Sequence, residues 1–361
     1  MIGGKNMPTN ENVKTLLVIG NGFDLAHGLK TKYTNFLDYF DKNFGNIEIS
    51  EQYIDIDGIK EVYQYIQKSI DNKDDISLQL NLKRYMQTPF GNIWIAYFDK
   101  IREDKNNLIG EDWIDFEQEI ERVIRQVENL LLKKITSEDI NPAVKVIIGK
   151  YLEESPEIII QKFIPKLYFD LRILTLFLEE YLIEEEEKLQ INTKNFFKTL
   201  NVKAVISYNY TNTFNRLYNK EKNKNFVHFI HGQLGKHNLV LGIGETLSDS
   251  DKNNFTICAS FKKFFQRIKY KLGNNYRNTL PPKPDVSNKW QIIFYGHSLD
   301  TTDKDSLEWL LKKSKVFPVK IYYFDDIAYN QQIANVIQII GKDQLIKDVN
   351  TGRIVFLPVN N

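Results

Sequence analysis

Near the start of the chain, Thr15 to Ile19 reads TLLVI and is followed at once by Gly20-Asn21-Gly22-Phe23-Asp24. A short run that is apolar at nearly every residue suits a strand covered on both faces, as in a parallel sheet. Two glycines around Asn21 permit a tight turn and a close approach of phosphate to backbone N–H groups, with a helix expected to start near Asp24. The segment Gly20–Asp24 is therefore expected to be a phosphate-binding turn opening a nucleotide-binding α/β domain. Leu25 stands where the third glycine of a dinucleotide fingerprint would be. The plainer alternative is an ordinary strand-to-helix turn with Asp24 as its N-cap.

Similar apolar runs return late in the chain: Lys203–Ser207, Phe226–Ile230, Leu239–Leu241, Gln291–Tyr295, Lys320–Phe324 and Ile354–Leu357. Helical patterns lie between several of them. From about Tyr33 to Leu200 the pattern is mostly helical, with Ile120, Ile124, Val127 and Leu131 at helical spacing. One strand, a long helical block, then many strands imply a Rossmann-like α/β fold. Its parallel sheet is flanked by helices and interrupted by a large helical insertion. The sheet domain is expected at residues 13–40 and 200–361, and the insertion at 41–199. Residues 244–285 are rich in Asn, Lys and Asp and are expected to hold a loop, with a helix around Phe261–Tyr270.

Composition removes several classes. A formal net charge of +1 over 361 residues predicts neither a nucleic-acid binder nor a membrane-surface binder. The single cysteine, Cys258, cannot form an intramolecular disulfide, and a cytoplasmic location is the simplest expectation. Met1–Asn12 lacks the apolar core of a signal peptide. The most apolar long stretch, Ile158 to Ile183, carries Lys162, Lys166, Asp170, Arg172, Glu179 and Glu180, a charge density that suits a buried helix and not a membrane span.

Four further segments carry candidate chemistry. Ser207-Tyr208-Asn209-Tyr210-Thr211-Asn212 follows a strand, so its polar groups enter the crevice where ligands bind in open α/β sheets. Asn209 could bond a ribose or place a water; the alternative is an Asn/Thr-rich turn. At Val227–Gly232, His231 ends a strand before Gly232 and is expected to emerge at the rim as a general base. His228, inside the strand, reads as a core histidine. Tyr295-Gly296-His297-Ser298 is another strand end, where Ser298 could hold a phosphate or ribose or cap the next helix. In Trp113–Glu117, Asp115 and Glu117 are candidate carboxylates, with Glu117 on the stripe of Ile120 and Ile124; the alternative is a helix-start carboxylate satisfied locally. His27 is a further candidate. No repeated metal-ligand spacing occurs, so no metal is expected.

The strings IGNGFDLAHGL, WIDFE, SYNYTNTF, HFIHGQLG and YGHSLDTTD together resemble the AbiH family of bacterial phage abortive-infection proteins. That family in turn is similar to the sirtuins, which consume NAD. Gly20, Gly22 and Phe23 match the sirtuin phosphate loop, and Gly28-Leu29 the segment after it. Asn209 falls at the motif asparagine, His231-Gly232 at the catalytic His-Gly, and Gly296, Ser298 and Leu299 at a cofactor-contacting segment. Asp24 replaces the loop serine, Lys30 a proline, Tyr33 an arginine and Thr211 an acidic residue, and the zinc ribbon is missing. The resemblance implies an antiphage protein with a sirtuin-like domain that binds NAD or a related nucleotide and hydrolyses the bond to nicotinamide. Asn209 and His231 would be catalytic. Gly20, Asn21, Gly22, Phe23, Asp24, His27, Tyr210, Gly232, Gly296, His297 and Ser298 would contact the ligand. The partners implied are a small-molecule nucleotide and a phage-derived trigger or a second copy of the chain. A non-catalytic nucleotide sensor and a metal-dependent nuclease built on Asp115, Glu117 and the histidines are the alternative functions.

Overall fold

The computed structural model describes residues 13–44, 56–86, 91–108, 116–219, 226–244, 258–281, 289–313 and 316–359. Six strands, β1 (Lys14–Ile19), β2 (Asn201–Ser207), β3 (Phe226–Phe229), β4 (Trp290–Tyr295), β5 (Val319–Tyr323) and β6 (Ile354–Pro358), form one sheet in the order β3-β2-β1-β4-β5-β6. Every pairing is parallel. The longer α-helices, in chain order, are α1 (Asn21–Ala26), α2 (Tyr33–Phe44), α3 (Ile56–Asp71), α4 (Asp75–Met86), α5 (Ile93–Leu108), α6 (Phe116–Leu131), α7 (Pro142–Ile148), α8 (Ile164–Glu187), α9 (Asn195–Lys198), α10 (Thr213–Tyr218), α11 (Lys263–Lys269), α12 (Lys304–Lys313), α13 (Asp326–Ile340) and α14 (Lys342–Asn350).

Strand β1 shows why an unbroken apolar run makes a central strand. Successive side chains point to opposite faces. Leu17 and Ile19 pack with Phe23, Phe197, Val205, Phe214, Ile293 and Tyr295 on one face. Leu16 and Val18 pack on the other with Ile206, Ile292, Phe294, Leu307, Val336 and Ile339. Both faces are dry from Leu16 to Ile19, so apolar residues follow one another there without alternation.

The chain divides into two compact units, each continuous in space and discontinuous in sequence. The sheet unit comprises residues 1–30, 185–233 and 271–361. The helical unit comprises 31–184 and 234–270. It therefore begins earlier than the expected residue 41, and it also takes a segment that sequence reading left with the sheet.

That segment contains the one expected strand that is not found. Leu239–Leu241 is fully buried but lies in no sheet; Ile243 makes an isolated bridge to Lys262. The Gln266 side chain takes the place of a neighbouring strand: Leu241 N–H donates to Gln266 Oε1 at 3.2 Å, and Gln266 Nε2 donates to Leu241 O at 2.9 Å. The helix expected around Phe261–Tyr270 is α11.

Within the helical unit, the apolar stretch pairs the buried charges of Lys166 and Asp170. Asp170 is fully buried, with Oδ2 accepting from Lys166 Nζ and from Ile93 N–H, each at 2.8 Å, and Oδ1 accepting from Tyr85 at 2.9 Å. The apolar stripe of α6 buries Phe116, Ile120, Val123, Ile124 and Val127.

Candidate functional site

All six strands are parallel, so their C-terminal ends share one edge of the sheet. The order places β2 and β3 on one side of β1, and β4, β5 and β6 on the other. In open α/β sheets the ligand crevice lies outside the carboxyl ends of the strands where the order reverses, here between β1 and β4. Register brings Ile19 level with both Ser207 and Tyr295, so the segments that follow these three residues meet at that point.

The turn after β1 is locked against the turn after β4. Gly20 N–H donates to Tyr295 O at 3.2 Å, Gly22 N–H to Gly296 O at 2.8 Å, and Phe23 N–H to Gly20 O at 2.8 Å. A Cβ on Gly20 would lie 2.7 Å from Gly296 O, and one on Gly22 2.7 Å from Gly296 Cα. Gly296 itself has φ +67° and would place a Cβ 2.3 Å from Phe23 N. These three glycines are therefore required by backbone packing, before any ligand is considered. The helix begins at Asn21, not near Asp24, and Asp24 lies inside its first turn, not at an N-cap. Phe23 is buried in the core, and Asn21 is half-buried at the turn.

Asp24 is 1% exposed. Thr211 donates from Oγ1 to Asp24 Oδ2 at 2.6 Å, and Thr213 donates to Thr211 at 3.0 Å. Burial pushes the Asp24 carboxyl up to about 6, against the bonds to Thr211, Thr213 and Asn209 that lower it. Its Oδ1 is buried with no hydrogen-bond partner among the described residues.

Past β2, Asn209 is buried and its Nδ2 donates to Gly20 O at 3.0 Å, tying this strand end to the glycine turn. Ser207 Oγ brackets the same residue, accepting from Asn209 N–H at 3.2 Å and donating to Asn209 O at 3.0 Å. Tyr208 donates to or accepts from Ser306 at 2.7 Å, and its ring stands perpendicular to His297 at 4.1 Å and to His231 at 5.4 Å. Tyr210 is half-buried, 6.4 Å from the His231 ring.

Past β3, His231 reaches the rim but is only 4% exposed, so the expectation of an exposed base is corrected. Its Nε2 lies 2.9 Å from Asp303 Oδ1. Asp303 is itself buried, on the short turn between β4 and α12. A neutral imidazole that donates from Nε2 to the carboxylate is held in one tautomer and one orientation. Gly232 follows with φ +88°, a conformation that favours glycine. His228 is buried between Phe226 and Tyr276 as a core residue.

The segment after β4 is strained and held. Leu299 is fully buried with φ +59°, which costs about 1–2 kcal/mol for a residue with a Cβ. Its N–H donates to His297 Nδ1 at 2.8 Å. From α13, Gln332 donates to His297 O and Asn335 to Ser298 O, each at 3.0 Å. Strain that persists because the surroundings over-determine it is a feature of ligand clamps and active sites. The Ser298 side chain is exposed at the rim.

Other candidates are placed elsewhere. His27 uses both ring nitrogens: Nδ1 donates to Phe23 O and Nε2 accepts from Tyr218, each at 2.7 Å. Burial lowers its pKa, which agrees with a neutral ring held among Phe23, Phe197 and Tyr218. Glu117 belongs to the helical unit, where its Oε2 accepts from the buried Lys263 at 2.6 Å. Asp115 lies outside the described residues.

Asp303, Ser306, Gln332 and Asn335 were not found from sequence. Gln332 and Asn335 left a usable signal: two amides three residues apart on the stripe of α13 that buries Val336 and Ile339.

The sequence profile of the family described as bacteriophage abortive infection AbiH matches residues 16–325. The chain belongs to this family. Gly20, Asn209, His231 and Gly296 lie within the matched span and follow strands whose C-terminal ends share one edge of the sheet. No curated protein and no solved structure matches the chain. Membership assigns the chain to phage abortive infection, and no described helix is long and apolar enough to cross a membrane.

Proposed function

We propose that the crevice over the C-terminal edge of the sheet binds NAD or a related nucleotide and hydrolyses its bond to nicotinamide during abortive infection. The observation that carries this reading is the buried His231–Asp303 pair, 2.9 Å apart, set against Tyr208 beside Asn209 where the strand order reverses. A histidine oriented by a carboxylate is a suitable base for a water or a ribose hydroxyl.

In the proposed reaction a water oxygen bonds to the ribose carbon that carries nicotinamide, and that carbon's bond to the nicotinamide nitrogen breaks. Nicotinamide leaves as a neutral molecule. His231 takes the water's proton and later releases it to solvent. Asp303 stabilises the charged ring, and Asn209 orients the ribose. The diphosphate would meet Asn21 and the Ser298 hydroxyl at the rim. The N–H groups of Gly20, Gly22 and Phe23 already serve the turn. This moves the phosphate contact from the interior of the glycine turn to its edge.

The test in cells is the NAD content of bacteria carrying the chain, before and after phage infection. NAD falls on infection with the wild-type chain, while Asn209→Ala and His231→Ala neither deplete NAD nor protect. Unchanged NAD, with full protection by both variants, overturns the reading.

A further inference from the structure

A carboxylate inside the first turn after β1 has the wrong charge for a site that receives a diphosphate. Asp24 is buried there, and among the described residues it has no basic partner. The groups facing it are Asn209, Thr211 and Thr213 from the segment after β2, and the Glu186 carboxylate at the end of α8. The charged side chain that acts on it, Glu186, is itself negative.

We propose that Asp24 is a proton-accepting positioning residue: an anionic nucleotide entering the crevice draws one proton from solvent onto its carboxyl. This rests on the nucleotide reading above. The geometry supplies a place for that proton. With Asp24 ionised, donation runs from Thr213 to Thr211 to Asp24 Oδ2. With Oδ2 protonated, the same two contacts can run the other way, from Asp24 to Thr211 to Thr213, because each hydroxyl both donates and accepts. The loop bearing Asn209 thus stays anchored in both states, and no covalent bond changes. Burial already holds the carboxyl at about 6. A phosphate brought nearby raises it further, since a like charge disfavours ionisation.

The experiment is calorimetric titration of the full-length protein with NAD at pH 7, in buffers of different ionisation enthalpy. The expected result is uptake of most of one proton per NAD bound, and affinity that falls up to about tenfold per pH unit above pH 6. In Asp24→Asn the uptake disappears and the affinity is flat over that range. Binding by the wild type without proton uptake, or uptake that survives in Asp24→Asn, overturns the role of Asp24 while leaving the nucleotide site intact. No binding of NAD by the wild type overturns both. Should Asp24→Asn fail to fold, the wild type suffices: an infrared carbonyl band of a protonated carboxyl grows on NAD addition at pH 7.5, and its absence refutes the proposal.

Discussion

The claim that the motif glycines serve backbone packing can be tested by placing a methyl group at each in turn. Gly28 is the control: its φ is +86°, and a Cβ there meets nothing within 4 Å. Gly28→Ala should cost only the left-handed strain, about 1 kcal/mol. Gly20 is the opposite case. Its φ of −127° suits any residue, but its Cβ would lie 2.7 Å and 2.8 Å from backbone atoms of Gly296 and His297. Backbone cannot swing aside as a side chain can, so the overpacking cost should fall near the top of the usual range, about 3 kcal/mol. Gly22→Ala should cost less. One of its clashes is with the rotatable Phe324 ring, and alanine in a helix recovers about 1 kcal/mol. Gly296→Ala combines strain with contacts of 2.3 Å and 2.5 Å to backbone, giving roughly 3–5 kcal/mol. The assay is urea unfolding of the full chain followed by circular dichroism, with the double variant Gly22→Ala/Gly296→Ala to expose their shared contact. If Gly20→Ala and Gly296→Ala prove as stable as Gly28→Ala while NAD binding is lost, the glycines make room for ligand and the packing argument is wrong.

Other outcomes follow from the same geometry. Asp303→Asn keeps the fold but loses at least tenfold in nicotinamide release, because an amide can hold the imidazole in the wrong tautomer; equal rates in the variant and the wild type would remove Asp303 from the mechanism. The Asp24 carboxyl is held at about 6 against an ordinary 3.8, so the fold favours its neutral form. That contribution is complete below pH 3.8 and is lost as pH rises through 6; at 1.36 kcal/mol per pH unit it amounts to roughly 3 kcal/mol. Asp24→Asn should therefore gain stability over the wild type between pH 4 and 7, and parallel pH–stability curves for the two would contradict this. Asp170→Ala leaves the Lys166 ammonium buried without its carboxylate and should destabilise the helical unit by about 3–5 kcal/mol, read by calorimetry; a change under 1 kcal/mol would show that the pair is dispensable.

Much of the sheet was legible because parallel strands buried on both faces leave unbroken apolar runs. TLLVI, KAVIS and QIIFY each fall within a strand of the sheet. The same signal misled at Leu239–Leu241, where a glutamine side chain completes the hydrogen bonds that a neighbouring strand would supply. An apolar run reports burial, and burial alone does not name the partner. The strand-end motifs showed which residues reach one edge of the sheet. Their exposure was not legible, since His231 and Asn209 are covered by groups distant in sequence. Asp303 lies 72 residues beyond His231, and its pairing depends on the order of strands, which no local pattern encodes. Asp24 reads from sequence as part of a phosphate turn or, alternatively, as a helix cap; only the tertiary contact with Thr211 reveals a buried acid.

Cleavage of NAD at this edge of the sheet is tested by chromatographic measurement of nicotinamide released from NAD by the purified full-length protein, with and without lysate of phage-infected cells as activator. The expected result is release by the wild type and none by Asn209→Ala or His231→Ala of equal stability. Tight NAD binding with no release in either condition would contradict it and identify the chain as a nucleotide sensor.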